Sequence, residues 1–394
     1  MPSCFVATEL VADMFNLLTT RSTGESIWKK LDWPLLTSAL ALSFMGTIAV
    51  WTTSRPNLLA EGTDPNAYLK RELLFVAIGL LLALWVARAR YTMLRAYAPI
   101  LYVLGLVGLV AVLLIGFEQN GIQAWIRLPF GFTLQPAEFA KLAIVLGAAL
   151  VLSETQTRRS EPENREVLLA LALAAVPVGF IMLQPDLGTT LVVGVMTLGL
   201  LSVSGTSARW LLGLGGGALI GIVTILAVPG LLKDYQKDRL RVFIDPSIDP
   251  QGAGYNLKQV RLAIGSGGWF GTGPFRGPQT NGRFIPEQQT DFIYSAVGEQ
   301  FGFIGAGLVI VGLLVVCWRA LKIAIETTDR FGRIAATGIA CWFTFQTFEN
   351  IGMNLGIMPV TGVPLPFISY GGSSMFACWM AIGLLQNIKT RETG

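Results

Sequence analysis

Residues 167–203 read VLLALALAAVPVGFIMLQPDLGTTLVVGVMTLGLLSV, two apolar runs separated by Gln184-Pro185-Asp186-Leu187-Gly188. A helix needs about 20 mostly apolar residues, within a range of about 17–25, to cross a bilayer. Each run approaches that length, and the Pro-Asp-Leu-Gly turn ends one helix and starts the next. The same pattern recurs along the chain. Ten spans are expected, at 34–52, 72–87, 98–117, 138–153, 167–183, 187–203, 210–229, 291–318, 334–351 and 374–388. The 394 residues are 53% hydrophobic and 14% charged, with mean hydropathy +0.58, whereas a soluble domain carries about 25% charge. The chain therefore reads as an all-α polytopic membrane protein of about ten transmembrane helices.

Lysine and arginine set the orientation. With the N-terminus inside, the inner segments hold 16 of the 29 cations. Eight of the others, Lys233, Lys237, Arg239, Arg241, Lys258, Arg261, Arg276 and Arg283, lie in one loop, 230–290. Loops that long translocate largely regardless of charge. Both termini are thus expected in the cytoplasm, with loops 118–137, 230–290 and 352–373 outside. The organisation is a cytoplasmic extension at 1–33, then a transmembrane domain at 34–390 whose long extracytoplasmic loop precedes the eighth span. The first 33 residues lack a signal-peptide layout, so the first span is expected to remain as an anchor in the cytoplasmic (inner) membrane. Glu9 to Phe15 has the pattern of a short amphipathic helix.

Several chemistries are excluded. There is no histidine, hence no His general base, Ser-His-Asp triad or His-ligated zinc. Cys4, Cys317, Cys341 and Cys378 form no CxxC pair, and no Walker A pattern is present. A net charge of +4 gives no reason to expect nucleic acid. Gly213-Leu214-Gly215-Gly216-Gly217-Ala218 matches a dinucleotide fingerprint but lies in a span with no preceding strand. Gly213, Gly217 and Gly221 at four-residue spacing read as close helix packing.

Ionisable groups in spans cost at least about 2.5–3.5 kcal/mol each and are candidates for function. Glu138 and Lys141 open the fourth span at i, i+3, on one helical face; they read as a structural ion pair or as part of a site. Asp186 reads equally as a turn and cap residue. Asp291 has no basic neighbour at i±3 or i±4. Glu299 lies eight residues on, about 12 Å deeper in a continuous helix. Glu349 and Asn350 lie near the outer end of the ninth span. Arg71 stands at the entrance of the second, beside Lys70, which reads as a snorkelling anchor. In the long loop, Gly254 to Ile264 has apolar positions at helical spacing and is expected to lie flat at the interface. Gly265 to Gly273 is too glycine-rich for a helix. It suits a phosphate cradle or a flexible connector equally.

Four blocks together resemble the SEDS family, the RodA and FtsW type of peptidoglycan glycosyltransferase. They are Gln135-Pro136-Ala137-Glu138-Phe139-Ala140-Lys141, Gln184 to Thr189, Asp249 to Gly302, and Asn350 to Asn354 continuing through Pro364 to Ser374. Met358 to Pro364 and Gly252-Ala253-Gly254-Tyr255-Asn256 look more like the elongation branch. The resemblance covers about residues 32–390. It implies polymerisation of lipid II on the outer membrane face with release of undecaprenyl diphosphate, in elongation and rod-shape maintenance. A class B penicillin-binding protein is the implied partner. By resemblance Asp291 is the essential carboxylate, here given the role of general base. Arg71, Lys141 and Arg127 are expected to handle diphosphate, and Trp125 reads as a sugar-stacking or an interfacial belt residue. Glu138, Asp186, Glu299 and Ser369 lie in the matching blocks and complete the expected substrate-binding set. No cofactor is implied and no dedicated metal cage is visible; a divalent cation is compatible with the diphosphate.

The chain departs from the family's usual pattern at Gln289, commonly His, at Gln300, commonly Glu, at Ala137, commonly Ser, and at Glu349, commonly apolar. The missing histidine removes any His-dependent proton transfer. Two other functions stand beside it: a flippase for lipid-linked precursor, which membrane-embedded charge also fits, and a non-catalytic scaffold for a penicillin-binding protein. A flippase needs polar groups through the whole bilayer depth, whereas those here gather in the outer third.

Overall fold

The computed structural model describes residues 30–119, 122–129, 132–154, 162–227, 241–243, 245, 249 and 252–392. The first helices are α1 (Trp33–Ala60), α2 (Ala67–Arg88) and α3 (Tyr91–Ile115). A small antiparallel sheet of order β1-β2-β3 follows, made of β1 (Phe117–Gln119), β2 (Ile122–Arg127) and β3 (Thr133–Leu134). Next come α4 (Pro136–Glu154), α5 (Asn164–Leu183), α6 (Leu187–Val203) and α7 (Ala208–Ala227). The long loop carries α8 (Ala253–Ser266) and the single turn α9 (Pro278–Asn281), before α10 (Ile293–Glu326), α11 (Arg330–Leu355) and α12 (Gly372–Glu392). Each expected span overlaps one of the long helices α1–α7 and α10–α12, although the third ends in β1, the eighth starts two residues before α10, and residues 228 and 229 of the seventh lie outside the described residues. The amphipathic reading of Glu9 to Phe15 lies outside the described residues.

Five helices, α1, α3, α4, α5 and α10, are long and apolar enough by length and composition alone to cross a membrane, and α6 is a shorter apolar helix. Hydropathy falls in α11 and α12 for a physical reason. Both are packed among other helices, so Gln346, Glu349, Asn350, Asn354, Gln386 and Asn387 sit on interior faces where they are buried. Helix α4 is largely enclosed, packing against α3, α5, α6, α11 and α12. Its first turn, with Glu138 and Lys141, is therefore central rather than peripheral.

Helix ends follow local chemistry. Asp32 caps α1 by accepting from the Leu35 N–H at 3.1 Å, and Asp186 caps α6 by accepting from Thr189 N–H at 2.9 Å. Asp329 caps α11 through Gly332 N–H at 2.8 Å, and Gly356 ends that helix in the left-handed conformation. At the end opposite the long loop, Asp32 also accepts from Arg319 on α10 and from Lys389 on α12, the latter at 2.9 Å. Gln386 completes this node by accepting from Asp32 N–H and donating to its carbonyl.

The eighth span differs from its sequence reading. Its helix runs on to Glu326 and is broken at Gly302, where φ 66° and ψ −165° are accessible to glycine alone. Crossing the break is the Gly267–Gly273 segment, which satisfies the interrupted backbone. Thr272 and Gly273 N–H donate to the Glu299 and Gln300 carbonyls at 2.9 and 3.0 Å, and Phe303 N–H donates to the Gly268 carbonyl at 2.8 Å. The glycine-rich stretch is thus a strap fitted into a helix break. Its flanking helix α8 buries Leu257, Val260 and Ala263; Val260 and Ala263 share a cluster with Ile285 and Phe292, so the expected apolar face packs on protein.

Other details also differ. The helix of the second span begins at Ala67, which places Lys70 and Arg71 within its first turns. Exposed Lys70 pairs with Asp64 at 2.7 Å. The close-packing reading of Gly213, Gly217 and Gly221 is not met, since a Cβ at any of them would find nothing within 4 Å.

Candidate functional site around Asp291

Asp291 lies two residues before α10, half-buried, at the end of the molecule that carries the long loop and the small sheet. Three consecutive carbonyls leading through it are each held by a different donor. Tyr370 N–H donates to Gln289 at 2.9 Å, and the Ser369 hydroxyl donates to Thr290 at 2.6 Å. The side-chain amides of Asn350 and Asn354 donate to Asp291 at 2.9 and 3.2 Å. Asn350 also donates to the Val363 carbonyl at 2.7 Å, and Ser369 accepts from Leu365 N–H at 2.7 Å. The backbone under the carboxylate is therefore pinned to α11 and to the α11–α12 loop. That loop passes close over the side chain: a Cβ on Gly362, whose φ is +78°, would lie 3.4 Å from Asp291 Oδ2.

Arg71 approaches the same clamp. Its guanidinium is within electrostatic reach of the Tyr370 hydroxyl, and the Tyr370 ring packs at a tilt against Tyr68 with centroids 4.7 Å apart. Tyr370 follows Ser369, whose hydroxyl holds the Thr290 carbonyl, so the Arg71 charge lies beside the clamp. The structure brings together Asp291, Ser369 and Arg71.

Glu138 and Lys141 form a separate, fully enclosed cluster. Lys141 Nζ lies 2.9 Å from Glu138 Oε1 and 2.8 Å from Gln346 Oε1, and it sits 4.7 Å from the centre of the Trp342 ring. Gln346 donates onward to the Pro364 carbonyl at 2.7 Å, which ties the cluster to the loop above Asp291. Both charged side chains are 0% exposed, so in this conformation the Lys141 ammonium meets protein groups only. Asp186 bonds Thr189 through N–H and hydroxyl, and it and Glu349 are within electrostatic reach of Lys141.

Glu299 does not point along a continuous membrane helix. Ahead of the Gly302 break, it accepts from Gln279 N–H at 2.7 Å, Thr280 N–H at 2.8 Å and the Thr280 hydroxyl, and so holds α9 in place. Trp125 and Arg127 project from β2. The Trp125 ring lies 6.4 Å from Phe117, and the Arg127 guanidinium lies over the same ring at 4.5 Å. The sheet is tied to α12 through Gln135 N–H and the Ser373 hydroxyl at 2.9 Å. Among the described residues no three His, Cys, Asp or Glu side chains are grouped to hold a metal ion.

Sequence reasoning missed Asn354, Gly362 and Gln346. A signal for two of them was present: Gln346, Asn350 and Asn354 recur every four residues along an apolar helix, which places three amides on one face.

Comparison with known proteins fits this architecture. The Thermus thermophilus rod shape determining protein RodA superimposes with a TM-score of 0.67 at 28% identity, covering 92% of this chain and 98% of that one. A chain from a peptidoglycan synthase complex, described as coordinating polymerization and crosslinking, gives 0.74 at 29% identity, with coverages of 92% and 98%. In sequence, the Escherichia coli peptidoglycan glycosyltransferase MrdB is 33% identical over 95% of this chain and 98% of its own. The probable peptidoglycan glycosyltransferase FtsW of Trichlorobacter lovleyi is 35% identical over 91% and 92%, and the stage V sporulation protein E of Bacillus subtilis 35% over 94% and 98%. Residues 33–394 match the cell cycle protein family of FtsW, RodA and SpoVE, and the chain belongs to that family.

Proposed function

We propose that this protein is a peptidoglycan glycosyltransferase that polymerises lipid II on the outer face of the cytoplasmic membrane, with both termini inside. The names of its relatives support the reaction class, and the clamp on Asp291 is the observation that carries the site. A transferase must hold its base at hydrogen-bond distance from the attacking hydroxyl, with little positional error. Three consecutive pinned carbonyls do this for the backbone of a single carboxylate. In the reaction, Asp291 takes the proton of an acceptor sugar hydroxyl. The oxygen bonds to the anomeric carbon of the donor, whose bond to the phosphate oxygen breaks, and the electron pair leaves with undecaprenyl diphosphate. The leaving group needs no proton, so one carboxylate suffices, and cations stabilise its charge. We assign that work to Arg71, whose charge reaches Tyr370 beside the clamp.

The elongation role rests on Met358 to Pro364 and Gly252 to Asn256, and a class B penicillin-binding protein is the partner that such a polymerase needs for crosslinking. The test is polymerisation of labelled lipid II by the purified protein with that partner. Long glycan from wild type and none from Asp291→Asn is expected. Equal product from both would remove Asp291 as base. No product from either, together with movement of labelled lipid II across liposomes, would favour the flippase. Complementation of a strain depleted of its elongation polymerase, but not of one depleted of its division polymerase, checks the branch.

A further inference from the structure

The loop between α11 and α12 is approached by opposite charges at two of its glycines. At Gly362 it is met by the Asp291 carboxylate, as described above. At Gly356 the Arg261 guanidinium, reaching from α8, fills the space a Cβ would occupy. Between the two, Val360 packs into the α8 cluster of Val260, Ala263, Ile285 and Phe292, and Met358 folds back beside Gly352. Gly356 and Gly362 are six positions apart, which even fully extended would span no more than about 22 Å. The two folded anchors shorten that distance.

Periodicity explains why Arg261 faces this way. Leu257, Val260 and Ala263 on α8 are buried, and Lys258 and Arg261, three residues apart, stand together on the exposed side. They form a dicationic edge beside the C-terminal end of α11, the helix whose Asn350 and Asn354 hold Asp291. Lys141, one of the cations first expected to bind diphosphate, is enclosed and paired with Glu138. Arg71 reaches the clamp through Ser369 and Tyr370, whereas Arg261 reaches it through Gly356, two residues beyond Asn354. A polymerase that joins two lipid-linked sugars must hold two diphosphates, and two cations, one against the loop at Gly356 and one beside Tyr370, match that need.

We propose that Arg261, with Lys258 beside it, binds the diphosphate of one lipid-linked substrate, and that Arg71 serves the other. This rests on the glycosyltransferase reading. Guanidinium pairs with phosphate oxygens through two parallel hydrogen bonds, so the site selects a prenyl diphosphate over the neutral prenol. It also sets a specificity that the carboxylate alone cannot.

The experiment measures binding of undecaprenyl diphosphate, with undecaprenol as control, to the full-length protein and its partner in nanodiscs. Arg261→Gln is expected to weaken diphosphate binding about tenfold, the loss of one charge-assisted contact, and Arg261→Lys to restore most of it. Lys258→Glu, an exposed position where folding is not at risk, is expected to weaken it by at least as much. Undecaprenol binding should not change in any of these variants. If Arg261→Gln and Lys258→Glu both hold diphosphate as tightly as wild type, or wild type does not distinguish it from undecaprenol, the proposal is overturned. If diphosphate binding depends on Arg261 but lipid II is not polymerised, the binding site stands and the glycosyltransferase reading falls.

Discussion

One side-chain amide, that of Asn350, donates both to the carbonyl of Asp291 at 2.9 Å and to the carbonyl of Val363 at 2.7 Å. It joins the segment that carries the carboxylate to the loop that carries Gly362, and it is fully buried. Asn350→Ala leaves the Val363 carbonyl without this donor, and the Asp291 carbonyl loses its shorter side-chain bond while keeping the longer one from Asn354. A buried polar group left unpaired costs about 1–3 kcal/mol, and a shift of about 1 Å in a catalytic group lowers rate by roughly a hundredfold. Polymerisation kinetics should show kcat reduced at least about tenfold, with KM for lipid II little changed. A kcat within twofold of wild type would show that Asn350 does not position Asp291.

Gly362→Ala probes the same contact from the other side. Its φ of +78° is costly for any residue with a Cβ, by about 1–2 kcal/mol. The added methyl also meets Asp291 Oδ2 at 3.4 Å, in the space an acceptor hydroxyl must enter. Glycan synthesis should fall strongly while the variant still copurifies with its partner. Full activity would mean that the hydroxyl approaches from elsewhere.

The long helices were legible because a bilayer demands long apolar runs, and each expected run overlaps one helix. Asp291, Ser369 and Arg71 were legible as a set only through motif resemblance. Nothing in their spacing says that residues 71, 291 and 369 meet, because the contacts join α2, the approach to α10 and the approach to α12. The break at Gly302 was hidden for a different reason. Gly302 sits in Phe301-Gly302-Phe303-Ile304, which reads as continuous apolar helix, and the strap that repairs its backbone lies about 30 residues earlier. Glu299 was misjudged with it, since its depth was counted along an unbroken helix.

Gly302→Ala should accordingly be among the most damaging glycine substitutions. Its backbone angles are essentially restricted to glycine, and the new Cβ collides with the strap backbone at Gly271. Thermal unfolding in detergent should begin well below wild type, and α8 should become accessible to protease. Gly217→Ala is the contrasting case. Nothing lies within 4 Å of its Cβ position, and alanine favours a helix over glycine by up to about 1 kcal/mol, so its melting temperature should equal or slightly exceed wild type. Equal losses from the two would count against the strap as a structural element.

At the opposite end of the bundle, Asp32 predicts a pH dependence. Burial alone raises the pKa of this carboxyl, but hydrogen bonds from Arg319, Lys389 and Leu35 N–H outweigh it and hold the pKa below the ordinary value. The unfolded chain binds its proton near pH 3.9, above the folded pKa. The node therefore contributes its full stability at pH values above the unfolded pKa and loses it as pH falls through the folded one. Asp32→Asn removes one partner of a mostly buried pair, with Arg319 about 10% and Lys389 22% exposed, and should destabilise the protein by about 3 kcal/mol at pH 7. The variant should also lose less stability than wild type between pH 5 and pH 3, so the two melting curves converge on acidification. Parallel curves would show that Arg319 and Lys389 draw their stability from other groups.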